Sequence, residues 1–333
     1  MMPAIYSAIS GLEAHQTMLN VTANNLANVD TIGYKAERTT FESELSELIS
    51  GGSGQTASNG GTNPEQVGLG VRVGSIDQIM SAGSMQNTGN ALDVAIQGDG
   101  FLAVGSSSTT VAAPTASTAT TTGYTPGLAS STAGAVPINN TSSAPGVTTA
   151  ALPTNITYTR AGNLTTDAQG YLTTASGQYV LGFATPQQSS VSGMTAANSA
   201  TYIYIPPGST NVSIGPSGEV TYTDSNPNDS TYGNTCTAGY LAVASFPNEA
   251  GLTRDAGTSW TQSANSGPAS YGTPDSGAFA STQTISGELE QSNVDMATEF
   301  TNMIQAEDGY QANSSVIQTS DQMMQTLIQM VQA

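Results

Sequence analysis

The sequence contains a single cysteine, Cys236, and a single histidine, His15. One cysteine excludes an internal disulfide framework and a cysteine-based metal cluster, so Cys236 is predicted to be a small buried apolar residue. A catalytic histidine needs a partner nucleophile or a metal cluster, and neither can be recognised in the sequence. We therefore expect His15 to pack on a helix, and we predict that the protein is not an enzyme and has no catalytic residue.

Basic residues are also scarce. Five Lys and Arg residues stand against 24 Asp and Glu residues, which gives a net charge of -19. A surface this acidic repels phosphate backbones and anionic lipids, so nucleic acid and membrane surfaces are excluded as expected partners. No apolar run is long enough to span a bilayer.

The N-terminal residues lack the basic region and the small-residue cleavage site of a secretory signal. The body of the chain is nevertheless rich in Thr, Ser, Gly, Asn and Ala, as many extracellular proteins are. Together these observations predict an extracellular protein that is exported without a cleaved signal peptide.

One segment has the opening spacing of a calcium-binding loop, Asp224-x-Asn226-x-Asn228. Asp229 replaces the glycine that such a loop needs for its turn, and Thr235 stands where the bidentate glutamate belongs. We therefore predict no metal ion and no cofactor.

Apolar residues return every seven positions at both ends of the chain. Ile5, Leu12, Leu19 and Leu26 form one row near the N-terminus. A second row occupies the last forty residues, after Ser292, Asn293 and Asp295, which together provide a helix cap. Heptad rows are typical of helices that pack against other helices. The predicted assembly interface consists of Ile5, Ile9, Leu12, Leu19, Leu26, Met296, Phe300, Met303, Tyr310, Ile317, Met324 and Val331.

Between these ends, short runs of β-branched and aromatic residues alternate with turn residues. Ala91–Ile96 alternates apolar and polar residues and precedes the turn Gly98–Gly100, which lacks the helix and third glycine of a dinucleotide loop. Further turns are predicted at Asp167–Gly170 and Pro216–Gly218, and Tyr240–Phe246 is predicted to be a buried strand. The fold class is therefore α+β, with N- and C-terminal helices in a coiled-coil-like domain and a central, all-β antiparallel domain.

The domain boundaries follow from these patterns. Residues 1–33 and 294–333 form the helical domain, 34–70 and 281–293 connect it, and 71–280 form the β domain. A Ser/Thr/Ala-rich insertion covers about 105–155. Within the connection, the spacing of Thr39 and Glu42 matches a capping box, and Phe41, Leu45, Leu48 and Ile49 predict a short amphipathic helix before a Gly/Ser-rich hinge at 51–61.

Four local motifs resemble those of the bacterial flagellar axial proteins, the rod and hook family. They are Ala23–Lys35, Asn90–Phe101, Tyr158–Leu164 and Ser292–Asp295, in the order in which the family carries them. A departure lies at Glu307-Asp308-Gly309, because family members generally carry a basic residue just before the aromatic position matched by Tyr310. The family-motif residues are Asn24, Asn25, Asn28, Gly33, Asp93, Gly98, Gly100, Asn293 and Val294.

The resemblance implies a structural subunit that assembles with copies of itself into a helical tube. The residue patterns at Thr298–Ile304 and Gly61–Pro64 are most similar to those of short hook proteins, whose tube is a flexible universal joint that transmits torque. The alternatives are a distal rod subunit and, from another class, a secreted β-rich adhesin or glycan-binding module. The implied partners are identical subunits, rod, hook-cap and hook–filament junction proteins, and the flagellar export apparatus. Since neither helix can bury its apolar row alone, we expect the ends to be ordered only in the tube.

Overall fold

A computed structural model describes residues 2–55, 60–106, 155–183, 191–192, 201–225, 227 and 232–332. The chain is α+β, with one helix near each end and a β-rich middle, as the sequence predicts. It divides into two compact units. We call residues 1–30, 35–80 and 294–333 the helical unit, and residues 31–34 and 81–293 the β unit. Of the predicted connecting segments, residues 35–70 lie in the helical unit, and Tyr34 and residues 281–293 lie in the β unit.

The helical unit contains two helices and two antiparallel strand pairs. Helix α1 is Met2–Ala27 and helix α2 is Met296–Gln332. Strands β1 (Glu37–Ser43) and β4 (Val71–Gln78) pair with each other, and β2 (Ser46–Ser50) pairs with β3 (Glu65–Gly68).

The amphipathic helix predicted around Phe41, Leu45, Leu48 and Ile49 is wrong, because these residues lie in or beside β1 and β2. All four side chains are exposed, so the helical spacing does not mark a buried face. The strands form because β4 and β3, fifteen or more residues away along the chain, supply the hydrogen-bonding partners. A short apolar run cannot be assigned to helix or strand from spacing alone.

The predicted hinge at 51–61 is in part a continuation of the β2–β3 hairpin. Ser53 and Thr62 exchange backbone hydrogen bonds in both directions, at 3.0 and 3.1 Å. Their hydroxyl groups lie 2.8 Å apart. The pairing of the two strands therefore extends beyond Ser50 and Glu65.

Helix α2 begins one residue after Asp295, and Asp295 itself is its cap. The Oδ1 atom accepts a hydrogen bond from the backbone N–H of Ala297 (2.9 Å), and Oδ2 accepts one from Thr298 Oγ1 (3.1 Å). These bonds hold the pKa of Asp295 below its usual value. The sequence predicts a cap at Ser292 and Asn293, with Asp295 just inside the helix. This prediction is wrong in position, because the capping hydrogen bonds are accepted by Asp295.

The β unit is built from antiparallel pairs around one large sheet. Its strands are β5 Met85–Asn87, β6 Val94–Gln97, β7 Phe101–Ser106, β8 Asn155–Thr159, β9 Leu164–Thr166, β10 Leu172–Thr174, β11 Tyr179–Phe183, β12 Val191–Ser192, β13 Thr201–Tyr202, β14 Thr210–Ile214, β15 Glu219–Thr223, β16 Thr235–Leu241, β17 Val243–Ser245, β18 Thr253–Arg254, β19 Ser259–Thr261, β20 Ser270–Gly272, β21 Gln283–Ser286 and β22 Glu288–Glu290. The main strand path is β12-β20-β17-β7-β11-β16-β15-β14, and β21–β6 and β22–β5 form separate pairs. The predicted turns at Asp167–Gly170 and Pro216–Gly218 are confirmed, since each joins two paired strands.

The core of the β unit lies against the large sheet. Its buried side chains are mostly β-branched or aliphatic, which suits a pleated surface. Cys236 is buried there, as predicted. Most of the predicted insertion, and Asn226, Asn228 and Asp229 of the calcium-like loop, lie outside the described residues. The core comprises Val94, Ile96, Leu102, Val104, Leu164, Leu172, Val180, Ile203, Ile205, Ile214, Val220, Tyr222, Cys236 and Leu241.

Candidate assembly surface

The two helices of the helical unit pack antiparallel in one constant register. Three contacts define it: Gly11 with Asn313, His15 with Gly309, and Asn25 with Glu299. From Gly11 to His15 to Asn25, α1 advances by four and then ten residues. Over the same contacts α2 steps back by four and then ten residues, which is what an antiparallel pair without a slip requires.

Small and polar side chains are the buried ones on these helices. On α1 they include Ala8 and Ala14, and on α2 Ala306 is fully buried. Small residues let helix backbones approach closely, so large apolar side chains are not needed where the helices meet. The buried helix residues are Ala8, Gly11, Ala14, Thr22, Asn25, Glu299, Ala306 and Ser320.

Many large apolar side chains of the same helices are exposed instead. Tyr6 is 63% exposed and Met330 is 66% exposed. A soluble monomer rarely leaves a contiguous apolar patch open unless a partner covers it. The exposed large apolar residues are Tyr6, Ile9, Met296, Phe300, Ile304, Tyr310, Val316, Met323, Met324, Leu327, Ile328 and Met330, and we call this set the helix patch.

The predicted interface residues fall into three groups. Ile9, Met296, Phe300, Tyr310 and Met324 are exposed and belong to the helix patch. Val331 lies in α2, but its side chain is outside the described part of the chain. The half-buried ones are Ile5, Leu12, Leu19, Leu26, Met303 and Ile317.

Tyr6, Ile304, Val316 and Met330 belong to the helix patch but were not among the predicted interface residues. They lie off the heptad rows, and a heptad pattern marks one narrow stripe per helix. For Met330, the signal that could have found it is the apolar content of the last turns of α2, which is too broad for one stripe.

A buried hydrogen-bond node holds the Asn25 end of the helix pair. Asn25 Nδ2 donates to the backbone oxygen of Glu37 (2.7 Å) and to Glu299 Oε1 (3.1 Å), and Asn25 Oδ1 accepts from the Glu37 N–H (3.0 Å). Burial raises the pKa of Glu299, and the hydrogen bond from Asn25 opposes part of this rise. Asn28 donates to the Asn24 side chain one turn away (3.1 Å). Asn25 therefore connects α1 to β1 and α2, and Asn28 bonds within the end of α1.

The motif residues Asp93 and Asn293 form hydrogen bonds within the β unit in a similar way. Asp93 accepts hydrogen bonds from Thr88 Oγ1 (2.6 Å) and Asn90 Nδ2 (3.1 Å). Asn293 donates to the backbone oxygen of Ser81 (3.1 Å). Val294, which opens the C-terminal segment of the helical unit, is half-buried. The motif residues for which hydrogen bonds are described thus stabilise the fold.

Three motif glycines occupy turns or close contacts. Gly98 has a φ of 103° and Gly100 a φ of 121°, which glycine adopts without strain. The backbone N–H of Gly33 donates to the Glu290 carbonyl at 2.8 Å. A Cβ atom on Gly33 would lie 2.8 Å from the backbone of Arg160, so no larger residue fits there.

The β2–β3 hairpin and the neighbouring strands carry a second exposed apolar set. Leu45 is 77% exposed although it is one of the most apolar residue types. We call this set the hairpin patch. It consists of Phe41, Leu45, Leu48, Ile49, Val67 and Ile76.

Among the described residues, no three His, Cys, Asp or Glu side chains are grouped closely enough to hold a metal ion. Within the same part of the chain, neither α1 nor α2 combines the length and apolarity needed to cross a bilayer. The site that the geometry offers is therefore a pair of apolar surfaces, the helix patch and the hairpin patch.

Three protein-family models match the chain. The model described as flagella basal body rod protein matches residues 5–35. The model of the flagellar hook protein FlgE/F/G D1 domain matches residues 149–222, and that of the flagellar basal body rod FlgEFG protein C-terminal region matches residues 285–330.

Similar proteins include both rod and hook proteins. The chain is 35% identical to the flagellar basal-body rod protein FlgG of Bacillus subtilis, over 98% of each chain. It is 30% identical to FlgG of Caulobacter vibrioides, over 99% of each. The flagellar hook protein FlgE of Borreliella burgdorferi is 50% identical over 101 residues, which are 30% of this chain and 23% of that protein.

Proposed function

This chain belongs to the flagellar basal-body rod and hook protein family, structural components of the bacterial flagellum, and we propose that it is a rod subunit that assembles into a tube with copies of itself. The observation that carries the choice of rod is coverage. The two rod relatives described above align along 98% or more of both chains, whereas the hook relative aligns along 30% of this one.

The helix patch supports self-assembly. Where α1 and α2 are buried, their side chains are small or polar. The large apolar side chains of the helix patch lie outside this contact and stay exposed on the helix pair. We propose that α1 and α2 form a coiled coil and that the helix patch of each copy is covered by a neighbouring copy. Covering large aromatic and aliphatic side chains of this kind stabilises an interface by about 1.5–3 kcal/mol for each one fully buried.

The hairpin patch supports an open rather than a closed assembly. It is a second apolar surface on the same unit, and it differs in residues and in secondary structure from the helix patch. Contact between two different surfaces of identical copies is head-to-tail, and such contacts extend into helical tubes when they do not close. We further propose that the tube adjoins other axial proteins of the flagellum, and that the subunit is exported to them through the flagellum's own channel.

A hook subunit is the second candidate. The 50% identity to a hook protein over 101 residues, together with the hook-like wording at Thr298–Ile304, favours it. The two candidates differ in mechanics, since a rod tube is straight and rigid whereas a hook tube is curved and changes shape.

Electron microscopy of tubes grown from the purified chain tests both proposals. We expect straight tubes from the parent protein and none from Phe300→Ser combined with Tyr310→Ser, because these changes remove two aromatic side chains from the helix patch. Tyr232→Ser is the matched control, because Tyr232 is an exposed aromatic residue of the β unit. Curved, polymorphic tubes would favour the hook, and normal tubes from the double variant would overturn the role of the helix patch.

A further inference from the structure

The ring of His15 on α1 occupies the space that a side chain at Gly309 on α2 would need. A Cβ atom built on Gly309 would lie 2.5 Å from His15 Nε2, 2.7 Å from Nδ1, and closer still to Cε1. The same ring packs against Phe41, with ring centroids 5.8 Å apart. Its Nδ1 atom is buried and has no hydrogen-bond partner among the described residues. His15 is therefore a packing side chain seated in a notch that only glycine leaves open.

A second notch lies four residues away, and in it the two helices exchange roles. Here the glycine is on α1 and the filling side chain is on α2. A Cβ atom on Gly11 would lie 2.6 Å from Asn313 Nδ2 and 2.9 Å from Asn313 Cγ. Each helix thus contributes one glycine and one side chain that fills the partner's glycine position.

The heptad rows alone do not select this register. A slip of α2 by seven residues keeps the same heptad positions facing α1, but it places Asn302 or Val316 opposite His15 in place of Gly309. It also places Ala306 or Ser320 opposite Gly11. Either slip would drive the His15 ring into a side chain, and packed helix interfaces tolerate such overlap poorly.

We infer that His15–Gly309 and Asn313–Gly11 act as reciprocal notches that select one register for the two terminal helices and exclude slipped pairings. This accounts for the glycine at 309, which by itself weakens the helix. A single register also gives every copy of the chain the same helix patch. The inference concerns the folded subunit and holds for a rod or a hook protein alike.

Substitution of the glycine and its filling residue, singly and together, tests the notch. We expect Gly309→Ala to lower the thermal midpoint of the helical signal in circular dichroism, although alanine favours helices. Adding His15→Ala should restore the midpoint, because the smaller residue makes room for the new methyl group. Fluorescence of Trp260, the one tryptophan and a buried residue of the β unit, should stay unchanged and thus reports any general misfolding.

A disulfide tests the register directly. Because Asn313 Cγ lies so close to a Cβ on Gly11, Gly11→Cys with Asn313→Cys should close within one chain on mild oxidation. Gly11→Cys with Ser320→Cys, one heptad out of register, should close at least roughly tenfold more slowly. In the Gly309→Ala background the first pair should close more slowly. Equal rates for the two cysteine pairs, or a Gly309→Ala protein that melts like the parent, would overturn the inference.

Discussion

Arg160 and Glu290 form a buried ion pair, with Nη1 of the arginine 3.3 Å from Oε2 of the glutamate. Both side chains are at most 2% exposed. Arg160 Nη2 also donates to the backbone oxygen of Gly98 (2.9 Å), and Glu290 Oε1 accepts from the Gly83 N–H (3.0 Å). One of only five basic residues is thus used to join strands from distant parts of the β unit.

Removing the arginine from this pair should destabilise the β unit strongly. Arg160→Met leaves the Glu290 carboxylate buried without its cation, and we expect a loss of about 3–5 kcal/mol in the free energy of unfolding. Urea unfolding followed by Trp260 fluorescence measures it. Arg254→Met is the control, because Arg254 stacks on the Tyr34 ring at 4.6 Å and is only half-buried. Its expected cost is about 0.5–1 kcal/mol. Equal costs for the two variants would contradict the importance of the buried pair.

Gly98 should tolerate no side chain. Its φ of 103° disfavours other residues, and a Cβ atom there would lie 2.6 Å from the backbone oxygen of Ser281. We expect Gly98→Ala to cost more than the roughly 1–3 kcal/mol of backbone strain alone. Gly208→Ala isolates the strain, because Gly208 has a φ of 91° and nothing within 4 Å of its Cβ position. The same urea titration compares them, and a Gly98→Ala protein as stable as Gly208→Ala would show that the close contact is relieved at no cost.

Glu299 should make the stability of the helical unit depend on pH. Burial raises the pKa of Glu299 in the folded chain above its unfolded value, which is near 4.3. The folded state therefore binds this proton more tightly, and the stabilisation is complete below the unfolded pKa and lost as pH rises through the folded pKa.

Comparison with Glu299→Gln isolates this effect from the other carboxylates. The glutamine can still accept the hydrogen bond from Asn25 but carries no charge. We expect the variant to exceed the parent in helix stability at neutral pH, with an advantage that disappears in acid. Urea midpoints from circular dichroism at a series of pH values measure it, and a difference independent of pH would refute the assignment.

The hairpin patch should contribute to assembly and not to the stability of the monomer. Leu48 and Ile49 are more than half exposed, so serine at both positions should change the unfolding free energy by no more than about 0.5 kcal/mol per site. We expect the critical concentration for tube formation to rise at least roughly tenfold, since the lost apolar contacts lie between copies. Light scattering measures it. The control pair, Ser43→Ala with Glu44→Ala, changes exposed polar residues of the adjoining strand end, and an equal effect of both pairs would remove the special role of the patch.

Several turns and helix ends could be predicted because the signal is local. Asp167–Gly170 contains its own hydrogen-bonding partners, including Asp167 Oδ1, which accepts from the Gln169 N–H at 3.0 Å. The start of α2 was predicted to within a few residues, but its cap was assigned to Ser292 and Asn293 rather than to Asp295, whose bonds reach residues two and three positions away. The pairing of Glu37–Ser43 with Val71–Gln78 could not be predicted, because nothing within either segment specifies which residues of the other it pairs with.

The sequence by itself determined the extent of the two helices, the antiparallel β character of the middle and the family, since each depends on short-range spacing or on motifs read in order. Only the tertiary structure decided which faces of the helices are buried and which strands replace the expected helix. The physical reason is that apolar spacing defines a stripe but not its partner. Whether His15 meets a glycine or a valine depends on a register that is set by packing between residues almost three hundred positions apart.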